Sequence, residues 1–180
     1  MYYVIQVQSG KEKKTIHDIK MHMKDLSFFD VFTPYRRVIR RRNGENHEEL
    51  ERCFPGYIFV ETDDIQKLFK DLYWVPDFTK ILGREELTYN FVPLNEEESR
   101  MIDILYNPKS NRVTEISNVE INEGDDIIIL DGPLMGLKSK VIKVNLHKRY
   151  ALISLTLCNH QVTAKVGINI ISKAKGAYSR

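Results

Sequence analysis

The C-terminal third of the chain alternates short β-branched segments with turn residues, and this pattern narrows the possible folds more than any other feature. Five segments, DDIIIL, KVIKVN, YALISLTL, QVTAKV and INIIS, are separated by DGPLMG, LHKR, CNH and GIN. Valine, isoleucine and threonine favour strands, whereas glycine, proline and asparagine mark the turns between them. Short strands at this spacing predict a small, strongly curved all-β barrel.

The segments before this barrel predict a mixture of helices and strands. Alternation in YYVIQVQ predicts a strand over residues 2–8, and Ile16, Ile19, Met23 and Leu26 recur at the spacing of a helix. FFDVFTPY and PGYIFVET predict further strands, the second buried on both faces, and DIQKLFKDLYWV and NEEESRMIDILY predict helices. The N-terminal part is therefore expected to be α+β.

A polar segment separates these two parts. Its sequence, NPKSNRVTEISN, contains proline and asparagine and shows neither helical nor strand periodicity, which predicts a linker. A chain of 180 residues is long enough for two small cores. We therefore expect an α+β domain over residues 1–107, a linker over 108–118, a barrel over 119–175 and a tail over 176–180.

Positive charge accumulates towards the C-terminus. The net charge of the whole chain is only +2, but no Asp or Glu follows Asp131. Lys148, Arg149 and seven further Lys or Arg residues occur in that acid-free stretch. A local surplus of this kind attracts phosphate groups, so Lys148 and Arg149, in the turn LHKRY, are candidate RNA contacts.

A second basic segment, YRRVIRRRNGENHEELER, predicts a β-hairpin. The pair NG at residues 43 and 44 favours a two-residue turn, and counting outward from it places Arg36 opposite Glu51. One face then carries three arginines and three glutamates, whereas the other pairs two arginines with one glutamate. Two interpretations stay open, a solvated hairpin with weak ion pairs and a phosphate-binding surface. The candidate phosphate contacts are Arg37 and Arg41, with Arg40 beside them.

The sequence contains no recognisable catalytic or metal-binding pattern. Cys53 and Cys158 are far apart and fit neither a disulfide framework nor a zinc site with four ligands. Cys158 and His160 lack a third catalytic partner, and His17 and His22 lack the spacing of a helical metal pair. We therefore expect no enzymatic activity and no cofactor. The chain also lacks the roughly 18 consecutive apolar residues of a membrane span, so we expect a cytoplasmic protein without membrane association.

Several motifs, in the same order, resemble the NusG family of bacterial transcription elongation factors. YYVIQVQSGKEKK is similar to the first strand and glycine of that family's N-terminal NGN domain, CFPGYIFVE to its central strand, and VPLNEEE to the segment before its last helix. NEGDDIIILDGPLMG is similar to the family's KOW domain, an SH3-like β-barrel. The resemblance covers nearly the whole chain, and the order of the motifs makes it specific.

This resemblance implies RNA polymerase as the partner. The NGN domain of the family binds the polymerase clamp through an apolar depression, and a surface that receives a helix needs aromatic anchors. The positions that match this surface are Tyr2, Phe54, Pro55, Tyr57 and Phe59. The residues by themselves leave open the alternative that these aromatic side chains fill the core of the domain.

Departures from the family pattern imply a specialised member. Residues 157–163, LCNHQVT, match the barrel loop through which housekeeping members contact Rho and a ribosomal protein, but Cys158 replaces their phenylalanine. The resemblance therefore implies an operon-specific, monomeric paralogue of the LoaP type that binds a structured nascent RNA, with DNA as a further candidate partner. A housekeeping factor acting with Rho or the ribosome and a stand-alone RNA-binding module are the alternatives.

Overall fold

The chain divides into two units, each assembled from separate stretches of sequence. The computed structural model describes residues 1–22, 30–76, 78–83, 91–106, 113–122 and 126–173, without the side chains of Arg41, Asp71, Phe78, Thr79 and Lys173. The first unit comprises Met1–Thr33, Phe54–Arg100 and Thr156–Val162, and the second comprises Pro34–Cys53, Met101–Leu155 and Thr163–Arg180. The arginine hairpin therefore belongs to the second unit, and the domain limits at 107 and 119 stay a prediction.

Three α-helices and twelve strands are found in the described part of the chain. The helices are α1 (Glu12–His22), α2 (Ile65–Leu72) and α3 (Glu96–Leu105). The strands are β1 (Tyr2–Val7), β2 (Asp30–Phe32), β3 (Tyr35–Arg42), β4 (Glu45–Arg52), β5 (Tyr57–Glu61), β6 (Phe78–Ile81), β7 (Val113–Thr114), β8 (Ser117–Ile121), β9 (Ile127–Ile129), β10 (Val141–Asn145), β11 (Tyr150–Leu157) and β12 (His160–Lys173).

An antiparallel sheet with the strand order β2-β5-β1-β6 forms the centre of the first unit. Successive side chains of a strand point to opposite faces, so one face receives Tyr3 and Ile5 of β1 together with Ile58 and Val60 of β5. Ile19, Leu68 and Leu72 of the helices belong to the same buried cluster. The predicted α+β character and the strand buried on both faces are confirmed, because Ile58, Phe59 and Val60 are each 0 % exposed.

The predicted helices also form, and a local capping interaction accounts for the start of α3. Ile19 of α1 is buried as its spacing predicted, whereas Met23 and Leu26 lie outside the described residues. At the start of α3, the amide of Glu98 donates to Asn95 Oδ1 and the amide of Asn95 donates to Glu98 Oε2, both at 2.9 Å. This reciprocal capping satisfies amides that a helix terminus otherwise leaves unpaired.

The arginine hairpin has the predicted register. Strands β3 and β4 pair from Tyr35 opposite Arg52 to Arg42 opposite Glu45, with Arg36 opposite Glu51. Asn43 and Gly44 have φ angles of 52° and 86°, the left-handed conformation that a type I′ turn requires at both positions. The predicted linker, in contrast, is not free of secondary structure, because β7 pairs in parallel with β3. Such a pairing depends on a strand far away in sequence and leaves no local periodicity.

The strands of the C-terminal part form a five-stranded sheet in the order β10-β11-β12-β8-β9, consistent with the predicted all-β barrel. Two expectations were wrong. The segment GIN is not a turn, because β12 continues from His160 to Lys173 through Gly167. Gly167 is required for another reason, since a Cβ there would collide with the carbonyl oxygen of Arg37. In addition, β8 was not identified from the sequence, although it pairs in parallel with β12.

The helices of the described residues are all too short or too polar to cross a membrane.

Candidate functional site

A row of aromatic rings lies on the sheet of the first unit, on the face opposite the buried cluster of α1 and α2. Ring centroids are 6.1 Å apart for Tyr2 and Phe32, 5.8 Å for Phe32 and Phe59, and 5.3 Å for Phe54 and Phe59. These separations are those of favourable aromatic pairs. The structure therefore brings three of the predicted polymerase contacts, Tyr2, Phe54 and Phe59, into one cluster.

Phe32 joins this cluster and was not identified from the sequence. It lies directly opposite Phe59 in the pairing of β2 with β5. Strand alternation could have identified Phe32, because Phe32 and Phe59 lie on the same face of two strands that were both predicted from the sequence. The pairing of those strands, however, is a tertiary contact.

Only part of the predicted polymerase surface reaches solvent. Phe54 and Phe59 are 0 % exposed, so in this structure they serve as core. Tyr2 and Tyr57 are half-buried, and Pro55 between the buried phenylalanine and the next strand is exposed. A partner approaching this face would touch Pro55 and the edges of the tyrosines, with the phenylalanines as their support. The assignment of these residues to polymerase stays a prediction.

A buried glutamate holds the turn that carries these residues. Glu12 is 0 % exposed, and its Oε1 accepts a hydrogen bond from the amide of Gly56 at 2.7 Å. Both of its carboxylate oxygens also accept from the amide of Gly10, at 3.1 and 3.0 Å. One carboxylate thus ties the start of α1 to the turn between Phe54 and Tyr57. This role could not be predicted from the sequence, because a glutamate in the first turn of a helix is normally solvated.

The arginine hairpin of the second unit carries a ladder of ion pairs on one face. Arg36 pairs with Glu51, Arg40 pairs with Glu51 and with Glu49, and Arg42 pairs with Glu49 at 2.7 Å. Most of these pairs are diagonal across the strands, within reach of long side chains. Burial acts to raise the pKa of the Glu51 carboxyl, but hydrogen bonds and charge from Arg40 and Arg36 outweigh it and hold that pKa below its usual value.

On the opposite face of the hairpin, Arg37 has one more carboxylate partner than the hairpin register predicted. Its guanidinium contacts Glu48 at 3.0 Å and Glu115 at 2.9 Å. Hydrogen bonding to Glu115 raises the pKa of Arg37 above its ordinary value. Glu115 comes from the predicted linker, so the hairpin register alone could not reveal it. The side chain of Arg41, the other preferred phosphate contact, lies outside the described ones.

The two predicted basic segments meet at a cleft of about 540 Å³ within the second unit. Arg40 of the hairpin and Lys148 of the β10–β11 turn both line it, whereas Arg37 and Arg149 do not. The amide of Lys148 donates to Asn145 Oδ1 at 2.7 Å, a side-chain contact that fixes the turn. The lining residues are Arg36, Val38, Ile39, Arg40, Arg42, Glu51, His147, Lys148, Tyr150 and Lys165.

The loop predicted to have lost its Rho contact is a tight turn. Cys158 and Asn159 have φ angles of 48° and 64°, and the amide of Cys158 donates to Glu98 Oε1 at 2.9 Å. Burial, with the charge of Glu98, raises the pKa of the Cys158 thiol to about 11. Burial likewise raises the pKa of Cys53 to about 12. Both thiols are therefore neutral at pH 7, which makes them poor nucleophiles.

Among the described residues, no group of three or more His, Cys, Asp and Glu side chains is placed to hold a metal ion.

Comparison with known proteins gives a consistent result. A family model described as "Transcription termination factor nusG" matches residues 1–103. "Transcription termination/antitermination protein NusG" of Streptococcus pyogenes is 27 % identical over 161 residues, which cover 86 % of both chains. The protein of the same description from Borreliella burgdorferi is 23 % identical and covers 96 % of this chain and 97 % of its own. A solved structure, "Domain interaction in Thermotoga maritima NusG", is similar with a TM-score of 0.45 and 15 % identity, at 92 % coverage of each chain.

Proposed function

The chain belongs to the NusG family of transcription factors, which are not enzymes, and on that premise we propose that it is an operon-specific elongation and antitermination factor. It binds RNA polymerase in the cytoplasm through its first unit and a structured nascent RNA through basic residues of its second unit. The proposed polymerase contact is supported by the aromatic cluster of Tyr2, Phe32, Phe54 and Phe59. This cluster lies within residues 1–103, which match the family model.

The chemistry of this surface suits an apolar partner helix. Pro55 is exposed and Tyr57 is half-buried, and both follow directly on the buried ring of Phe54. Rigid aromatic and proline side chains lose little conformational entropy on binding, and aromatic residues dominate the energetics of interfaces. Polymerase bound at this face would be held by Tyr2, Pro55 and Tyr57, with Phe54 and Phe59 fixing their positions from below.

A specialised paralogue of the LoaP type is supported by the loop at residues 157–163 and by the basic residues. Cys158 is buried and its amide is bound to Glu98, so this position offers no aromatic anchor to Rho or to a ribosomal protein. The RNA contacts that we propose are Arg37, Arg40, Arg41, Lys148 and Arg149. Recognition of a paired stem would rest on phosphates and 2′-hydroxyls, because the deep, narrow major groove of A-form RNA admits side chains poorly. DNA is a further candidate partner.

The polymerase contact is tested with purified proteins. The full chain and its Tyr57→Ala and Pro55→Ala variants are titrated onto immobilised bacterial RNA polymerase core enzyme. We expect the Tyr57→Ala and Pro55→Ala double variant to bind at least about tenfold more weakly, since anchors at the centre of an interface contribute about 2 kcal/mol or more. Tyr73→Ala is the matched control, because Tyr73 is an 83 % exposed aromatic side chain of the same unit.

Equal affinity of the double variant and the wild type, or a loss confined to the Tyr73→Ala control, would show that polymerase does not bind this face. The specialised role has its own test, a pull-down with purified Rho. We expect the chain to retain far less Rho than the barrel of a housekeeping family member does, and comparable retention would contradict the LoaP-type assignment.

A further inference from the structure

We propose that the arginine hairpin and the β10–β11 turn are opposite walls of one RNA-binding cleft, which grips a single stretch of backbone by its phosphates. This inference rests on the proposed function and assigns the RNA to one site within the second unit. Its starting observation is the cleft of about 540 Å³ that residues from both segments line together. The two basic segments, which the sequence analysis identified as separate candidates, would therefore act on the same ligand.

Half of the residues that line the cleft are Lys or Arg. The hairpin contributes Arg36, Arg40 and Arg42, and the other side contributes Lys148 and Lys165. Glu51 is the one carboxylate among the lining residues. In the described part of the chain, no carboxylate pairs with Lys148 or Lys165, so their charges are available to an anion. The cleft therefore attracts phosphate more strongly than the ion-paired hairpin would alone.

A buried donor inside the cleft lacks an acceptor. The side chain of Arg36 is only 6 % exposed and is bound to Glu51 through one terminal nitrogen. Its Nε is buried and has no hydrogen-bond partner among the described residues. Buried polar groups in native proteins are almost always satisfied, and an arginine matches phosphate oxygens in geometry as well as in charge. A phosphate entering the cleft would supply an acceptor on the side that Glu51 leaves open.

Tyr150 helps to hold the cationic groups in place. Lys165 Nζ lies 5.0 Å from the centre of its ring, and Arg36 Cζ lies 6.0 Å from it. Contacts of this kind favour a cation over an aromatic ring. The Tyr150 ring thus holds Arg36 of the hairpin and Lys165 of β12 close to the same part of the cleft. Two positive charges are therefore in place before RNA binds.

The size of the cleft indicates a single strand. Its volume falls in the range of about 300–1,000 Å³ that is usual for sites of small ligands, and this space accommodates about one or two nucleotides of one strand. It does not enclose the full width of a duplex. We therefore assign to the cleft an unpaired segment or one backbone strand at the junction of a stem, with any choice of sequence made by bases outside it.

The experiment measures fluorescence anisotropy of a fluorescein-labelled RNA stem-loop with a single-stranded arm, titrated with the full chain over a series of salt concentrations. The variants are Arg42→Ala on one wall, Lys148→Ala on the other, and both together. Each single variant should flatten the slope of log affinity against log salt by about 0.7 to 0.9, and the double variant by about twice as much. Both side chains are exposed, Arg42 at 64 %, so the variants should fold normally.

Lys138→Ala is the matched control, because it removes one exposed positive charge of the second unit from a position that does not line the cleft and is not a proposed RNA contact. It should leave the slope unchanged, and unlabelled single-stranded RNA should compete with the probe. A flattened slope in Lys138→Ala with none in the wall variants, or an effect of one wall only, would overturn the single cleft. Equal affinity for single-stranded DNA of the same sequence would overturn the assignment to RNA.

These results are separable from a failure of the proposed function. A chain that binds polymerase but no RNA refutes the cleft and leaves the polymerase role standing. A chain that binds RNA through both walls but not polymerase refutes the proposed function and leaves the cleft standing.

Discussion

Replacement of Glu12 by alanine should destabilise the first unit more than loss of a helical glutamate normally does. The carboxylate is fully buried and accepts hydrogen bonds from the amides of Gly10 and Gly56. Gly10 is exposed, so water can replace its bond, but the buried Gly56 amide left without an acceptor costs about 1–3 kcal/mol. For a chain of this size, each kcal/mol shifts the unfolding temperature by about 2–4 °C. We therefore expect a decrease of about 2–12 °C in Glu12→Ala.

The assay is thermal unfolding combined with hydrogen exchange at the Gly56 amide, whose protection depends on Glu12 Oε1. Glu12→Gln is the control, because its amide keeps one oxygen acceptor and should fall between the wild type and Glu12→Ala. An unfolding free energy of Glu12→Ala within about 1 kcal/mol of the wild type, with unchanged protection of Gly56, would refute the reasoning.

Three further predictions follow from burial and charge. Phe54→Ala should lower the free energy of unfolding by about 3–5 kcal/mol, as expected for a buried phenylalanine, whereas the exposed Pro55→Ala should stay near the wild type in the same denaturant titration. Cys53 and Cys158, whose pKa values are raised by burial to about 12 and about 11, should react with iodoacetamide at pH 8 far more slowly in the native chain than in urea. The depressed pKa of Glu51 stabilises the fold above the ordinary carboxyl pKa of about 4.3, and this stability is lost as the pH falls through the folded-state pKa. Wild type should therefore lose more stability than Glu51→Gln on acidification, and equal losses would contradict the ion-pair ladder.

The sequence was enough to predict those helices and strands that are determined by interactions between residues a few positions apart. The hairpin register follows from Asn43 and Gly44, because a two-residue turn fixes every pairing outward from it. The helix stripe at Ile19 follows from periodicity, and the buried strand around Phe59 follows from its continuous run of apolar residues. The motifs of the first 103 residues likewise indicated the family that the comparison then established.

Other features depend on which segments meet in space, and the sequence contains no local trace of them. The predicted phosphate contact Arg37 lies beside Glu115, which is 78 positions away along the chain and could not be found from the hairpin register. Gly167 reads as a turn residue, yet it lies inside a strand because a neighbouring backbone leaves no room for a side chain.

The chain's own pattern therefore determined its family, its α+β part and the geometry of its arginine hairpin, since short-range turns and periodicities specify these. Only the tertiary structure decided that Phe54 and Phe59 are core, that Glu12 anchors the turn between them, and that Arg40 and Lys148 line one cleft. Burial and charge balance are properties of a residue's surroundings, and folding brings those surroundings together from distant parts of the chain.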